Sequence, residues 1–476
     1  MVTEWPVTTL DEHISIKHGF AFKGEYFKDS PTHDCLLTPG NFAIGGGFKG
    51  DKYKYYDGPI PNDYILKQGD LVVTMTDLSK QADTLGYSAL IPFQCDKRLL
   101  HNQRTGLVQF KSQDLDKTYL YFLLRSNQYR HHVVSGATGT TVKHTSPKKI
   151  LAFEFHMPPK PLQIQIGQHL LALENKITLN RQINQTLEQM AQTLFKSWFV
   201  DFDPVMDNAL DAGNPIPDEL QHRAEARKAV RQGQAAADKE REGFKPLPDE
   251  VRKLFPDAFE ESELGWVPKG WKEKPIISLI NLIGGGTPKT TEESYWGGEI
   301  PWFSVVDAPN DSDVFVLDTE KKVTEAGVAN SSTKVLRIGT TIISARGTVG
   351  KCALVATPMA MNQSCYGVVG AEGVHDYFVY YLLRQSVKQL QQRSHGSVFS
   401  TITRDTFNSL KLATGDASMT QLFGNTVSPW FEKILANNQQ QSSLERLRDT
   451  LLPKLISGEL RLDDAEVAVE QETVSA

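Results

Sequence analysis

The sequence predicts an α+β protein made of two tandem, mixed α/β modules joined by two long helices that form an antiparallel coiled coil, with a pseudo-twofold internal repeat. Three observations predict it. The chain repeats itself with a period of about 260 residues. Each copy mixes short β-like runs with at least one clear helix, and each ends in a long helical seam.

Composition bounds the rest. At 476 residues, 40% hydrophobic and 23% charged, the chain has room for roughly three globular domains. No apolar run approaches the roughly 18 residues of a membrane span, and MVTEWPVTTLDEH at the N-terminus lacks the basic-then-apolar pattern of a secretory signal. Cys35, Cys95, Cys352 and Cys365 form no CxxC pair, which argues against a disulfide framework or a zinc site and for a cytoplasmic home. A net charge of −6 is not the footprint of a nucleic-acid binder, so any DNA surface must be local.

The repeat is collinear. LKQGD (66–70) answers LRIGT (336–340), HNQ (101–103) answers MNQ (361–363), and YFLLRS (121–126) answers YYLLRQ (380–385). GATGTTVKHTSPKKI from Gly136 runs parallel to GSVFSTITRDTFNSL from Gly396, and NQTLEQMAQTLFKSWF (184–199) to QSSLERLRDTLLPKLI (441–456). Strands are expected at LVVTM (71–75) and TTIISA (340–345), and helices at 119–130 and 377–393.

The first seam runs through Ile166, Leu170, Leu173, Ile177, Asn180, Asn184, Leu187, Ala191, Leu194 and Trp198, about four heptads and long enough for a coiled coil. Its copy uses Ile434, Asn437, Gln441, Leu444, Leu451 and Leu455, interrupted by Arg448 and weakened by Pro429 and Pro453. Both carry amides at matching places. An antiparallel pair would set Asn180 opposite Gln441 and Asn184 opposite Asn437, and these four residues would fix register at some cost in stability. A parallel pair also matches polar with polar, so connectivity decides: antiparallel helices would carry a module to each end of a rod about 50 Å long.

Between the copies, DELQHRAEARKAVRQGQAAADKERE forms a helical stretch bounded by prolines, followed by the acidic FPDAFEESELGWVPKGWK. The tail beyond Leu462 is acidic.

Candidate DNA-binding residues are those whose types suit phosphates and base edges. In the first module they are Lys49, Lys52, Tyr53 and Lys54 in FKGDKYKYY, then Arg104, Thr138, Thr140, Thr141, Lys143 and Lys148. The second offers Lys289, Thr290, Arg346, Lys351, Ser397, Ser400 and Arg404. Charge clusters are usually solvated surface, so the Gly-Thr-Thr and Ser-Thr loops weigh more than any one lysine. Catalytic signatures are lacking: the GGGFKG run at Gly45 reads as a flexible loop, IGGGTPKT (283–290) lacks Walker spacing, and no metalloprotease, serine-hydrolase or kinase set occurs. No catalytic or metal-ligating residues are assigned.

Four strings carry a family likeness: LFKSWFVDFDPV (194–205), LFPDAFEESELGWVPKGWK (254–272), GGGTPKTTEESYWGGEIPW (284–302) and LLPKLISGEL (451–460). With the two-copy order, they make nearly the whole chain resemble the specificity subunit of type I restriction-modification systems. The resemblance implies target recognition domains at 1–158 and 265–416, conserved coiled-coil helices at 159–203 and 417–462, a helical, acidic linker at 204–264 and an acidic tail at 463–476. It implies a non-catalytic, sequence-specific subunit in which each domain reads half of a bipartite, asymmetric double-stranded DNA site. The coiled coil would set the spacer and dock two methyltransferase (modification) subunits, and restriction/translocase subunits would complete the complex. This chain would bind no cofactor; S-adenosylmethionine, ATP and Mg would serve the partner subunits. The competing reading is a non-catalytic coiled-coil adaptor with two protein-binding ends.

Overall fold

The computed structural model describes residues 5–79, 81–92, 96–140, 142–233, 247–309, 313–394 and 401–460. Contacts divide the chain into two units, Met1–Leu179 with Gln440–Ala476, and Asn180–Gln439. Each contains one module and part of both long helices. Among the described residues no helix is long and apolar enough to cross a membrane.

The first unit opens with β1 (Val7–Thr9), α1 (Leu10–His13), β2 (Ile14–His18), β3 (Phe27–Lys28), β4 (Asp34–Leu37), β5 (Lys54–Tyr56) and β6 (Leu71–Thr74). It continues with β7 (Thr76–Asp77), β8 (Ser88–Leu90), β9 (Arg98–His101), β10 (Thr105–Phe110), α2 (Lys117–Leu123), α3 (Asn127–Ser135), β11 (Lys143–His144), α4 (Pro147–Leu151), β12 (Glu154–His156) and α5 (Lys160–Phe199). Two four-stranded sheets result, ordered β2-β10-β6-β8 and β3-β5-β4-β9. The first is antiparallel throughout, and β4 and β9 run parallel. β6 (LVVT) is buried along its whole length, as an unbroken β-branched run in a central strand should be. Leu170, Leu173 and Ile177 of α5 share a core with Leu120 and Phe122 of α2 and with Leu444, Leu451 and Leu455. β1 pairs with β12, so the strand entering the module is tied to the strand leaving it.

The second unit begins with the rest of α5, then α6 (Asp203–Ala212), α7 (Gln221–Gly233) and α8 (Asp249–Arg252). These short helices are held by charged bonds: Arg227 to Asp207 (2.6 Å), Arg231 to Asp211 (2.5 Å) and Arg252 to Asp211 (2.6 Å). Val205 and Phe255 enter the unit's core beside Trp198 and Phe199. The strands β13 (Phe259–Ser262), β14 (Gly265–Pro268), β15 (Lys272–Pro275), β16 (Ile280–Gly284), β17 (Trp296–Phe303), β18 (Phe315–Val316) and β19 (Lys322–Val323) follow. Then come α9 (Glu325–Ala329), β20 (Thr341–Ser344), β21 (Cys352–Val355), β22 (Ala360–Met361), β23 (Cys365–Gly370), α10 (Asp376–Ser394), α11 (Arg404–Ser409), β24 (Lys411–Thr414) and α12 (Ala417–Ser457). The sheets are ordered β16-β23-β20-β21-β18 and β19-β17-β22, and β15 pairs with β24 at the module's entry and exit.

Within this unit α5 and α12 run antiparallel. Asn437 Nδ2 donates to Asn184 Oδ1 at 2.8 Å, Asn184 Nδ2 donates to Asn438 Oδ1 at 2.6 Å, and further along α5 the ring of Phe195 meets that of Phe423, earlier in α12, at 5.7 Å. α12 continues through Pro429 and Pro453. Buried Phe423, Val427, Phe431 and Ile434 hold the first proline's neighbourhood in helical geometry despite the missing N–H.

The helix expected over 119–130 is broken in two. Asp116 caps α2, the chain leaves the helix at Leu124, and Ser126 restarts it by accepting from Tyr129 N at 3.3 Å. In the second module Gln385, a helix former, takes the place of Ser126, and α10 is continuous.

The turn between α2 and α3 and the helix α10 each present an arginine to α5. Arg125 Nη1 donates to Glu174 Oε2 at 2.5 Å and to the Tyr121 hydroxyl at 2.6 Å, and Tyr121 also donates to Glu174. In the second unit Arg384 Nη1 donates to Glu188 Oε1 at 2.6 Å and to the Tyr380 hydroxyl at 3.1 Å. Arg125 also donates through Nε to Gly45 O at 2.7 Å. Gly45, Gly46 and Gly47 all have positive φ (88°, 91° and 94°), and a Cβ on Gly46 would lie 2.7 Å from Arg125. The glycine run is therefore a hydrogen-bonded turn clamped by the arginine, not a flexible loop. Removing one partner of a buried ion pair strands the other charge. Glu174→Ala should lower the unfolding free energy by about 3–5 kcal/mol, measured by urea denaturation.

Candidate nucleic-acid interface

In the first unit, β2 leads into a loop that crosses the turn joining β9 to β10. A Cβ on Gly19 would lie 2.0 Å from Asn102 O, so only glycine permits the crossing. Phe20 N donates to His101 O (2.8 Å), Gln103 N donates to Phe20 O (3.0 Å), and Thr105 closes the turn through its N and Oγ1 onto Asn102 O (3.0 and 2.9 Å). The end of β6 joins them: Met75 N donates to Arg104 O and Thr145 N donates to Met75 O, each at 3.0 Å. Thr145 precedes Ser146, whose hydroxyl caps α4 by accepting from Lys149 N at 3.2 Å.

The second unit repeats this junction. A Cβ on Gly285 would lie 1.9 Å from Asn362 O, Gly286 N donates to Met361 O (2.9 Å), and Cys365 N donates to Asn362 O (3.3 Å). Ala345 N donates to Ser364 O (2.8 Å) and Ile402 N to Ala345 O (2.9 Å), ahead of Thr403, which caps α11. Parallel pairing of Leu37 with His101 and of Phe303 with Met361 sets both turns against matching strands. Even the loop after each of those strands matches: Asn41 caps Thr38 as Asp307 caps Ser304.

Around the first junction gather Arg104, Thr138, Thr140, Lys143 and Lys148. Lys143 and His144 pair with Asp77 and Thr76, and Thr138 bridges back to His144. Arg104, Thr138, Thr140 and Lys148 are exposed, Lys143 half so; Thr141 lies outside the described residues. Asp77, buried beneath them, accepts from Ser79 N (2.6 Å), Thr84 Oγ1 (2.7 Å) and Thr84 N. Burial pushes its pKa up, but these hydrogen bonds outweigh it and hold the carboxyl below its ordinary value.

Lys54 instead opens β5 of the second sheet of that unit, and Lys49, Lys52 and Tyr53 lie on the loop that enters it. Asn41 Nδ2 donates to the carbonyls of Lys49 and Lys52 (3.3 and 2.8 Å), shaping their loop. Lys49 pairs with Asp51 at 3.0 Å, Lys54 Nζ sits 4.0 Å above the Phe27 ring, and Tyr53 packs partly into the core.

Around the second junction stand exposed Arg346, which bridges Thr401, and exposed Arg404 at the start of α11. Lys289 and Thr290 are exposed on the loop leaving β16. Lys351 is half-buried beside a cavity of about 180 Å³ that Asp313, Cys352, Tyr380 and Arg384 also line. Ser397 and Ser400 lie outside the described residues. Missing from the sequence-derived set are Lys23, Gln103 and Gln363, all exposed at the two junctions. The HNQ and MNQ match was the available signal, but it entered only as evidence of duplication.

No group of three or more His, Cys, Asp or Glu side chains suited to a metal occurs among the described residues. The DNA specificity domain model of type I restriction-modification systems matches residues 3–189 and 268–446. The chain belongs to this family of specificity subunits. It is 30% identical to the type I restriction enzyme HindI specificity subunit of Haemophilus influenzae, over 72% of this chain and 77% of that one. It is 28% identical to the MjaIX specificity subunit of Methanocaldococcus jannaschii, over 41% and 45%. In fold it is similar to the crystal structure of a type I S subunit from M. genitalium, with a TM-score of 0.56, 16% identity and coverage of 95% and 96%. Each matched segment of this specificity subunit contains one of the two junctions described above.

One buried group gives the first junction a pH dependence. His101 Nε2 donates to Thr105 O (3.0 Å), while its Nδ1 has no partner among the described residues. Burial lowers its pKa from 6.5 to about 4, which the Thr105 contact only partly offsets. Between these values the unfolded chain takes up a proton that the folded one refuses, so stability is full above pH 6.5 and falls as the pH drops toward 4. The loss should reach about 3 kcal/mol, on the order of 1.4 kcal/mol per pKa unit. His101→Met, which installs the second module's residue, should flatten this dependence in denaturation measured at pH 7 and pH 5.

Proposed function

We propose that each module reads one half of a bipartite, asymmetric site on duplex DNA, and that the paired helices set the spacer and dock two modification subunits. The observation that supports this most directly is the duplicated junction, a rigid turn ringed by exposed cationic and hydroxyl side chains in each matched segment. Lys and Arg there would neutralise phosphates, and Arg104, Arg346, Arg404 and the Thr side chains would reach base edges. The lysines of the 49–54 loop would extend the phosphate contacts. Asn180, Asn184, Asn437 and Gln441 would keep the helices in one register, since a slipped pairing would strand buried amides.

The modification subunits would supply S-adenosylmethionine and methylate adenine N6 after flipping the base into their own pockets. Restriction/translocase subunits would use ATP and Mg. This chain's part is to place them on the DNA.

The test is co-expression with the modification subunit encoded beside it, followed by mapping of N6-methyladenine across the host DNA. A split, asymmetric motif is expected, and replacing residues 2–157 with the corresponding module of a relative should change one half only. No methylation from a stable complex would refute the reading. Inserting seven residues in both long helices adds about 10 Å, or about three base pairs. The mapped spacer should lengthen accordingly; an unchanged spacer would show that the helices do not set it.

A further inference from the structure

The two modules would read different half-sites, yet part of their junctions is the same. In each, a glycine (Gly19, Gly285) crosses an Asn-Gln turn, an exposed glutamine (Gln103, Gln363) follows the buried asparagine carbonyl, and an exposed lysine (Lys23, Lys289) stands four residues after the glycine. The correspondence is one of backbone as well as sequence. β2 pairs with β10 in the register that β16 adopts with β23: His18 faces Gly106 as Gly284 faces Tyr366. The following residue donates to the same carbonyl in both turns, Phe20 to His101 and Gly286 to Met361.

Other parts of the junctions differ. Thr76-Asp77-Leu78, folded around the buried Asp77, corresponds to Arg346-Gly347-Thr348, in which Gly347 takes a positive φ of 73°. A contact of the same kind at the same place in both modules cannot encode a difference between half-sites. It must meet something that the half-sites share, and the sugar-phosphate backbone is shared by every sequence.

The chemistry of the second glutamine narrows this. Gln363 Oε1 already accepts from the Thr287 hydroxyl, which ties the oxygen to its own loop and turns the two amide N–H donors into the more available side of the group. Adenine read through its N6 and N7 needs the amide oxygen as an acceptor, whereas a phosphate oxygen needs only a donor. In the first module Ala21 stands at the place of Thr287, and Lys23 lies 3.7 Å from Glu25 in an exposed pair that solvent and a phosphate would readily exchange.

We infer that Lys23 with Gln103, and Lys289 with Gln363, form one phosphate clamp per module, which seats each recognition domain on the DNA backbone irrespective of sequence. The divergent residues beside it are left to read the bases. This rests on the DNA-reading function proposed above.

The experiment uses the full-length chain in complex with its modification subunits. Binding is measured at two salt concentrations to a duplex carrying the sequence methylated by the wild type and to a scrambled duplex, alongside the methylation map. The pair Lys23→Ala and Gln103→Ala should weaken both duplexes by the same factor, about tenfold, and reduce the slope of log affinity against log salt by about one. The pair Lys289→Ala and Gln363→Ala should act alike. Gln103→Glu, which preserves size, should weaken binding further by setting a carboxylate against phosphate. The methylated motif should stay unchanged in every variant. A motif relaxed or altered at a base would overturn the clamp in favour of base reading, and unchanged affinity would overturn it outright. A wild-type complex that methylates no split motif would instead overturn the function on which the clamp rests.

Discussion

Two arginines, Arg125 buried and Arg384 half-buried, hold the design together. Arg125, in the turn between α2 and α3, and Arg384, on α10, each reach a glutamate of α5, Glu174 or Glu188, alongside a tyrosine hydroxyl. A guanidinium taken out of water needs its charge matched and its donors filled, so the segment that carries it tolerates little freedom against α5. The first clamp does more. Its Nε also grips the Gly45 carbonyl, which orders a three-glycine turn whose backbone few other residues could adopt. Burial raises the pKa of Glu188 despite Arg384 beside it, a sign of how strongly this region is desolvated.

From these anchors the sheets carry their ends toward the loops of the two junctions. The loops do not gain their shape from local sequence but from crossings in which one backbone lies on another, at Gly19 over Asn102 and Gly285 over Asn362. Such a crossing is intolerant of any Cβ, and so a rigid frame persists while the neighbouring residues differ between modules. Variation at Thr76–Leu78 or Arg346–Thr348 leaves the crossing intact.

Much of the architecture is legible in the sequence. Collinear strings revealed the duplication because two copies of one fold need the same apolar and turn residues at the same places, and β6 and β20 fell where the β-branched runs stood. The α2–α3 break was not foreseen, because Ser126 is an ordinary helical residue unless its hydroxyl turns to cap the next segment. Nor was the ordered glycine turn, whose partner, Arg125, lies 80 residues away. Candidate contacts chosen by residue type were scattered over two sheets in the first module, since charge and hydroxyl content do not reveal which loops converge.

Sequence by itself therefore determined the class of fold, the duplication, the long helices and the family, because these are written in periodicity and in repeated strings. Only the tertiary structure decided which polar residues share a junction. It assembled Gly19, Gln103, Arg104, Met75 and Thr145 from four separate stretches of chain, and did the same with Gly285, Gln363, Ser364, Ala345 and Ile402. The reason is physical: a backbone carbonyl such as that of Asn102, Arg104 or Met75 is the same group in every residue, so its partner is chosen by where the sheets bring the chain and not by the side chain it carries.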